Sequence, residues 1–222
     1  MNPRRIAALV AAPALAVALS ACVSVLPKSD PDQLYSFGHA IEAEIAPPAV
    51  AAATAPFDAT GVLLGAVVFP RAATGDGILT MTGSQSAYIA ESRWVAPASL
   101  LFREAIDRSF DRKATRVRLV NRGEAGRTAM ILRIEVRDFA ALYPNGPEGL
   151  PVVAVAVHAR LARADGTPVA ERLFEARRRV SENRVAPIVD GFDKAVEESL
   201  TALVAWTDQT AAGAAVPGAG PR

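Results

Sequence analysis

The dipeptide Asp165-Gly166 sits between two long runs of strand-forming residues, Val152 to Ala164 and Thr167 to Val180. Asp-Gly supplies the positive φ angles of a tight turn, so the two runs predict a β-hairpin. No other feature limits the fold as strongly, because an isolated hairpin is marginal and needs further strands or a helix against its apolar face. On the first arm Val153, Val155, Val157 and Leu161 share that face; on the second, Arg177, Arg178 and Arg179 fall near the far end. A further strand is clearest at Ala129 to Phe139. There Met130, Leu132, Ile134 and Val136 alternate with Arg133, Glu135 and Arg137. A polar face implies a sheet covered on one side, and hence mostly antiparallel neighbours.

Shorter strands are predicted at Gln33 to Gly38, Gly61 to Pro70, Ile78 to Thr82, Ala87 to Ala90 and Arg116 to Val120. The run from Gly61 to Pro70 is apolar throughout, and its length and β-branching favour a buried strand over a helix. Pro97 opens a helix over Ala98 to Lys113, where a missing N–H costs little. Its residues Phe102, Ala105, Ile106, Ser109 and Phe110 recur at helical spacing. A final helix runs from Val185 to about Thr210, with Ile188, Val189, Phe192, Val196, Leu200 and Leu203 in its apolar stripe. The expected fold is therefore α+β: a mainly antiparallel sheet with two amphipathic helices packed on one face. Residues 33–210 form the expected domain. Glu44 to Thr60, rich in Ala and Pro, reads as a loop, and 211–222 as a disordered tail.

The N-terminus carries an address. Arg4 and Arg5 precede an uncharged run from Ile6 to Leu19, which is shorter than the roughly 20 residues a spanning helix needs. It ends Leu19-Ser20-Ala21-Cys22, which has the form of a bacterial lipobox, and Cys22 is the only cysteine in the chain. Residues 1–21 are thus expected to be a lipoprotein signal peptide, Cys22 the lipidation site, and 22–32 a lipidated tether. Two or more acyl chains anchor a protein stably without a transmembrane helix. Val23, rather than Asp, follows the cysteine and favours the outer membrane. Cleavage removes Arg4 and Arg5, which leaves 24 − 2 = 22 basic against 23 acidic residues. The near balance gives no pointer to a polynucleotide partner and leaves anchoring to the lipid.

Chemistry-bearing residues are sparse. One cysteine and two histidines exclude an internal disulfide framework and a Cys/His zinc site. The chain has no Gly-x-Ser-x-Gly elbow, P-loop or dinucleotide fingerprint, so no catalytic residue, cofactor or metal site is assigned. His39 lies near the end of the first strand, and His158 lies mid-strand opposite Val155 and Val157. Arg177 to Arg179 either bind an acidic partner or lipid phosphate, or form a solvated strand end paired with local Glu.

The order of these pieces resembles a known family. The lipobox is followed by the proline-punctuated tether, the strand Leu34-Tyr35-Ser36-Phe37, a Pro/Ala-rich gap and the strand Val62 to Phe69. Then comes Ala87-Tyr88-Ile89-Ala90-Glu91-Ser92-Arg93-Trp94-Val95-Ala96-Pro97, leading into an amphipathic helix. Together they look like the ABC-type transport auxiliary lipoprotein family, the PqiC-like proteins, over roughly Gln33 to Ala205. The resemblance implies a non-enzymatic, periplasm-facing lipoprotein. Its implied partners are an MCE-domain protein with its permease and ATPase, in a system moving lipids between inner and outer membranes. It also implies an oligomeric ring of like chains and contact with lipid. Trp94 is a landmark of the resemblance, as a partner or ligand contact or as a core or interface aromatic. The alternative is an envelope assembly or cell-wall-associated lipoprotein unrelated to lipid transport.

Overall fold

The hairpin turns at Asp165-Gly166 as expected, but Gly166 alone takes a positive φ, and the loop is closed by the Gly166 N–H on the Arg163 carbonyl and the Arg163 N–H on the Thr167 carbonyl. Gly166 has φ +90°, and the Asp165 carboxylate accepts a 2.8 Å hydrogen bond from the Thr167 N–H. The structure, a computed structural model, describes residues 31–38, 59–121 and 128–215. The leader, Cys22, nearly all of the tether, His39 and most of the Glu44 to Thr60 segment lie outside the described residues. So do residues 216–222 of the tail.

The described strands are β1 (Gln33–Tyr35), β2 (Thr60–Val68), β3 (Gly77–Thr82), β4 (Gln85–Trp94), β5 (Val117–Val120), β6 (Thr128–Leu142), β7 (Val152–Arg163) and β8 (Pro168–Arg179). The helices are α1 (Ala98–Lys113) and α2 (Val185–Ala215), with one 3-10 turn at Arg71–Ala73. Strand β6 is the trunk of an open sheet. Along one side it pairs antiparallel with β7, which pairs antiparallel with β8. The other side forks. The first half of β6 carries β2 and then β5, both parallel. Its last two residues carry β3, followed by β4 and β1.

The expected mainly antiparallel sheet is thereby corrected. Pairings β1–β4, β2–β5, β2–β6 and β3–β6 are parallel, so the sheet is mixed. The polar face of β6 reports solvent on one side, and it carries no information on the direction of neighbouring strands. The uninterrupted apolar run of β2 reflects its place between two parallel neighbours. The expected packing of two amphipathic helices on one face is corrected as well. Helix α2 lies over β7 and β8, whereas α1 lies mainly against α2 and the β2–β5 branch.

Helix α1 begins where Pro97 leaves the strand region. The N–H groups of Ala98 and Ser99 donate to the carbonyls of Gly75 and Thr74, so neighbouring loop carbonyls cap the first turn. Helix α2 buries Ile188, Phe192, Val196, Leu200 and Leu203. It continues to Ala215, past the Thr210 at which the sequence pattern ends, and Ala211 is fully buried. At Gly191 a β-carbon would meet the Val153 side chain at 3.0 Å, so the missing side chain permits the close crossing of α2 over β7.

The fork is closed by aromatic rings. Phe37, Phe69, Trp94, Phe102, Phe139 and Phe192 come from six different parts of the chain. Trp94 stands edge-on to Phe37 at 4.9 Å and to Phe192 at 5.3 Å, and Phe139 meets Phe192 at 4.9 Å. Such geometries add to the burial energy of each ring. Opposite this cluster, Asp208 on α2 ties down the chain leaving α1. Its Oδ1 accepts from the N–H groups of Thr115, Arg116 and Val117, at 3.1, 2.6 and 2.9 Å, and Oδ2 accepts from the Thr115 hydroxyl.

Candidate functional site

Strands β6, β7 and β8 turn one face to the helices and leave the other face uncovered by any described helix. The β6–β7 and β7–β8 registers align the uncovered side chains in rows. Glu135, His158 and Leu173 form one row. Arg133, Arg160 and Glu171 form the next. At the other end Ala140, Ala154 and Arg177 are followed by Leu142, Val152 and Arg179. Between these ends lies the row Asp138, Ala156 and Glu175, so the small side chains of Ala154 and Ala156 on β7 have Asp138 on one side and Glu175 and Arg177 on the other.

His158 sits at the centre of this face and is only 8% exposed. Its Nδ1 lies 3.2 Å from Arg137 Nη2. A guanidinium can only donate, so Nδ1 is the acceptor in this contact. Nε2 is 3.7 Å from Glu171, and Glu135 is 3.7 Å from Nδ1. Both ring nitrogens are thus engaged by neighbouring charges, an arrangement suited to holding three strands together. Among the described residues no group of three or more His, Cys, Asp or Glu side chains is placed to hold a metal ion.

The candidates singled out from sequence separate in space. Arg178 points to the helix side, where it pairs with Glu198 at 2.7 Å. Arg177 and Arg179 lie on the uncovered face, exposed, and no ion-pair partner is recorded for them among the described residues. Trp94 is 2% exposed and belongs to the core aromatics, so its geometry is that of a scaffold residue. Cys22 lies outside the described residues.

Three cleft regions were not legible in the sequence. One, of 440 Å³, is lined by Asp32, Asp76, Tyr88, Glu91 and Arg93. Arg93 bridges the carboxylates of Asp32 and Asp76 there. Glu91, in the segment of β4 that bulges away from β3, has φ +53° and is the single non-glycine residue with positive φ among the described residues. A second, of 530 Å³, lies between α1 and the β2–β5 edge. Burial pushes the Asp107 carboxyl up there, and nearby Asp111 and Glu104 act in the same sense. The third is a pair of neighbouring clefts on the uncovered sheet face that share Arg133 and Arg160. The register that pairs these two arginines depends on a bulge at Arg137, for which the sequence holds no local signal.

The model of the family described as ABC-type transport auxiliary lipoprotein component matches residues 44–204. No curated protein matches the chain. Among solved structures, a protein of Xanthomonas campestris assigned to the family DUF330 is 21% identical. The match covers 83% of this chain and 100% of that one, with a TM-score of 0.65. An uncharacterized protein of known structure is 12% identical, over 80% of this chain and 99% of that one, with a TM-score of 0.60. At these identities the likeness is one of fold.

Proposed function

The chain belongs to the family of ABC-type transport auxiliary lipoprotein components, and we propose that it is the periplasm-facing docking subunit of a PqiC-like, MCE-type lipid transport system. In this reading residues 1–21 are removed, Cys22 carries the acyl chains, and the tether holds the domain at the outer membrane. The domain engages an MCE-domain protein, whose permease and ATPase drive transport, and like chains assemble in a ring. It works by binding, not by bond-making chemistry. The family match carries the reading, since it runs from before β2 well into α2 and so takes in most of the domain. The uncovered face of β6–β8 adds support: a docking module needs an open, charge-rimmed surface, and Arg177 and Arg179 stand exposed on it.

A photo-crosslinking residue at position 177 or 179, activated in intact cells and followed by identification of the captured protein, tests the proposal. Capture of an MCE-domain protein is the expected result. Capture of a secretion or cell-wall complex in its place would transfer the chain to the alternative role in envelope assembly.

A further inference from the structure

Arg133 on β6 lies directly opposite Arg160 on β7. Like charges in that position destabilise a sheet unless something compensates them. Arg160 has a partner, Glu171, at 3.5 Å, but Glu171 also serves His158. Glu135, on the next row, is within 3.9 Å of Arg137 and 3.7 Å of His158. Arg133 has no ion-pair or hydrogen-bond partner among the described residues. Across these two rows the guanidiniums of Arg133, Arg137 and Arg160 face the carboxylates of Glu135 and Glu171, so one positive charge is left over there, while the next row carries Asp138 and Glu175.

Apolar surface flanks this charge on both sides. Towards β2, a cleft of 160 Å³ is lined by Ala66, Val68 and both arginines, with Glu135 and His158 also in its wall, and Val68 is 54% exposed. Towards the hairpin turn, a cleft of 290 Å³ is lined by the same two arginines with Ala162, Pro168 and Val169, and by Glu171, the partner of Arg160. The two clefts share their cationic wall. Together they fall in the lower part of the roughly 300–1,000 Å³ typical of small-ligand sites. Guanidinium groups bind phosphate and carboxylate through paired, charge-assisted hydrogen bonds.

We propose that this face binds a single-chain amphiphile with an anionic phosphate or carboxylate head, the head held between Arg133 and Arg160 and the chain laid along the adjoining apolar clefts. The site stands independently of the docking role, since it needs neither an MCE partner nor an oligomer. Bound anion removes the Arg133–Arg160 repulsion, so the head is held by the group that otherwise strains the sheet.

The test is calorimetric titration of the purified full chain with dodecyl phosphate below its micelle concentration. Inorganic phosphate, dodecanol and dodecyltrimethylammonium serve as separate arms. Dodecyl phosphate should bind, and the affinity should fall at least about tenfold in Arg133→Gln and in Arg160→Ala, the loss expected for one charge-assisted contact. Arg112→Ala, on α1, should bind as wild type does. Arg133→Gln should keep or raise the melting temperature because it relieves the opposed charges; the affinity comparison rests on whichever variant keeps its melting temperature. Inorganic phosphate binding as tightly as dodecyl phosphate would reduce the site to an anion site and overturn the proposal. So would equal binding of dodecanol or the cationic amphiphile, or unchanged affinity in both arginine variants.

Discussion

Asp208 shows how one side chain couples distant parts of the chain. Burial pushes its carboxyl pKa up, but hydrogen bonds from the Thr115 hydroxyl and the N–H groups of Arg116, Val117 and Thr115 outweigh that and hold it below the ordinary 3.8. A folded pKa below the unfolded value means stability that is full above the unfolded pKa and is lost as pH falls through the folded one. Hydrogen bonds to a charged group are worth about 1.5–3 kcal/mol each in net terms. Asp208→Asn keeps an acceptor but loses the charge, so it should cost about 2 kcal/mol at neutral pH. The gap to wild type should close as pH falls below 3.8. Urea unfolding of both proteins across pH 2–7 measures it, and a gap that stays constant to the lowest pH would remove the charge from the explanation. Trp94 carries the opposite lesson at this scale: a residue conspicuous in the sequence is spent on packing, edge-on to Phe37 and Phe192.

At the scale of elements, α2 carries much of the core, and its faces are energetically unequal. Phe192 is fully buried against Trp94 and Phe139. Truncating a buried Phe typically costs about 3–5 kcal/mol, from lost transfer energy and the cavity left behind. Phe192→Ala should therefore unfold the protein or lower its melting temperature severely, given the roughly 5–15 kcal/mol that holds a domain together. Glu197 pairs with Lys113 of α1 at 3.6 Å with its side chain 40% exposed. Exposed pairs of that kind contribute about 0–1 kcal/mol, so Glu197→Ala should be nearly silent. Equal melting temperatures would mean that the buried face of α2 has been misassigned. The last turn behaves as part of the same element. Since Ala211 is fully buried, truncation after Thr210 should lower the melting temperature of the fold.

For the whole molecule, the proposed anchor decides where the domain can work. Cys22→Ala should release the protein from membranes or block its processing, because the thiol that accepts the diacylglyceryl group is gone. Metabolic labelling with an alkynyl fatty acid reads this directly, and equal labelling of wild type and variant would contradict lipidation at Cys22. If the domain acts by docking, His158→Ala should still complement loss of the gene, because both His158 nitrogens are engaged within the sheet. Failure to complement by a variant that folds normally and remains anchored would point to chemistry at that ring.

The sequence alone determined the features that depend on near neighbours along the chain. Helix α1 spans Ala98–Lys113, the range marked out by Pro97 and the helical spacing of Phe102, Ile106 and Phe110. The hairpin turn lies at Asp165-Gly166, and Met130, Leu132, Ile134 and Val136 share the buried face their alternation implies. That alternation stops being a guide at Arg137. The register shifts between Val136 and Asp138, so Phe139 and Ala141, not Asp138 and Ala140, face Val155 and Val153 on the helix side. Only the tertiary structure decided the parallel pairing of β2 with β5 and β6, the ion pair of Arg178 with Glu198, and the meeting of Arg133 with Arg160. The physical reason is that periodicity is written within a few residues, whereas strand direction and register are settled between segments tens of residues apart, where one extra residue in a strand exchanges its faces.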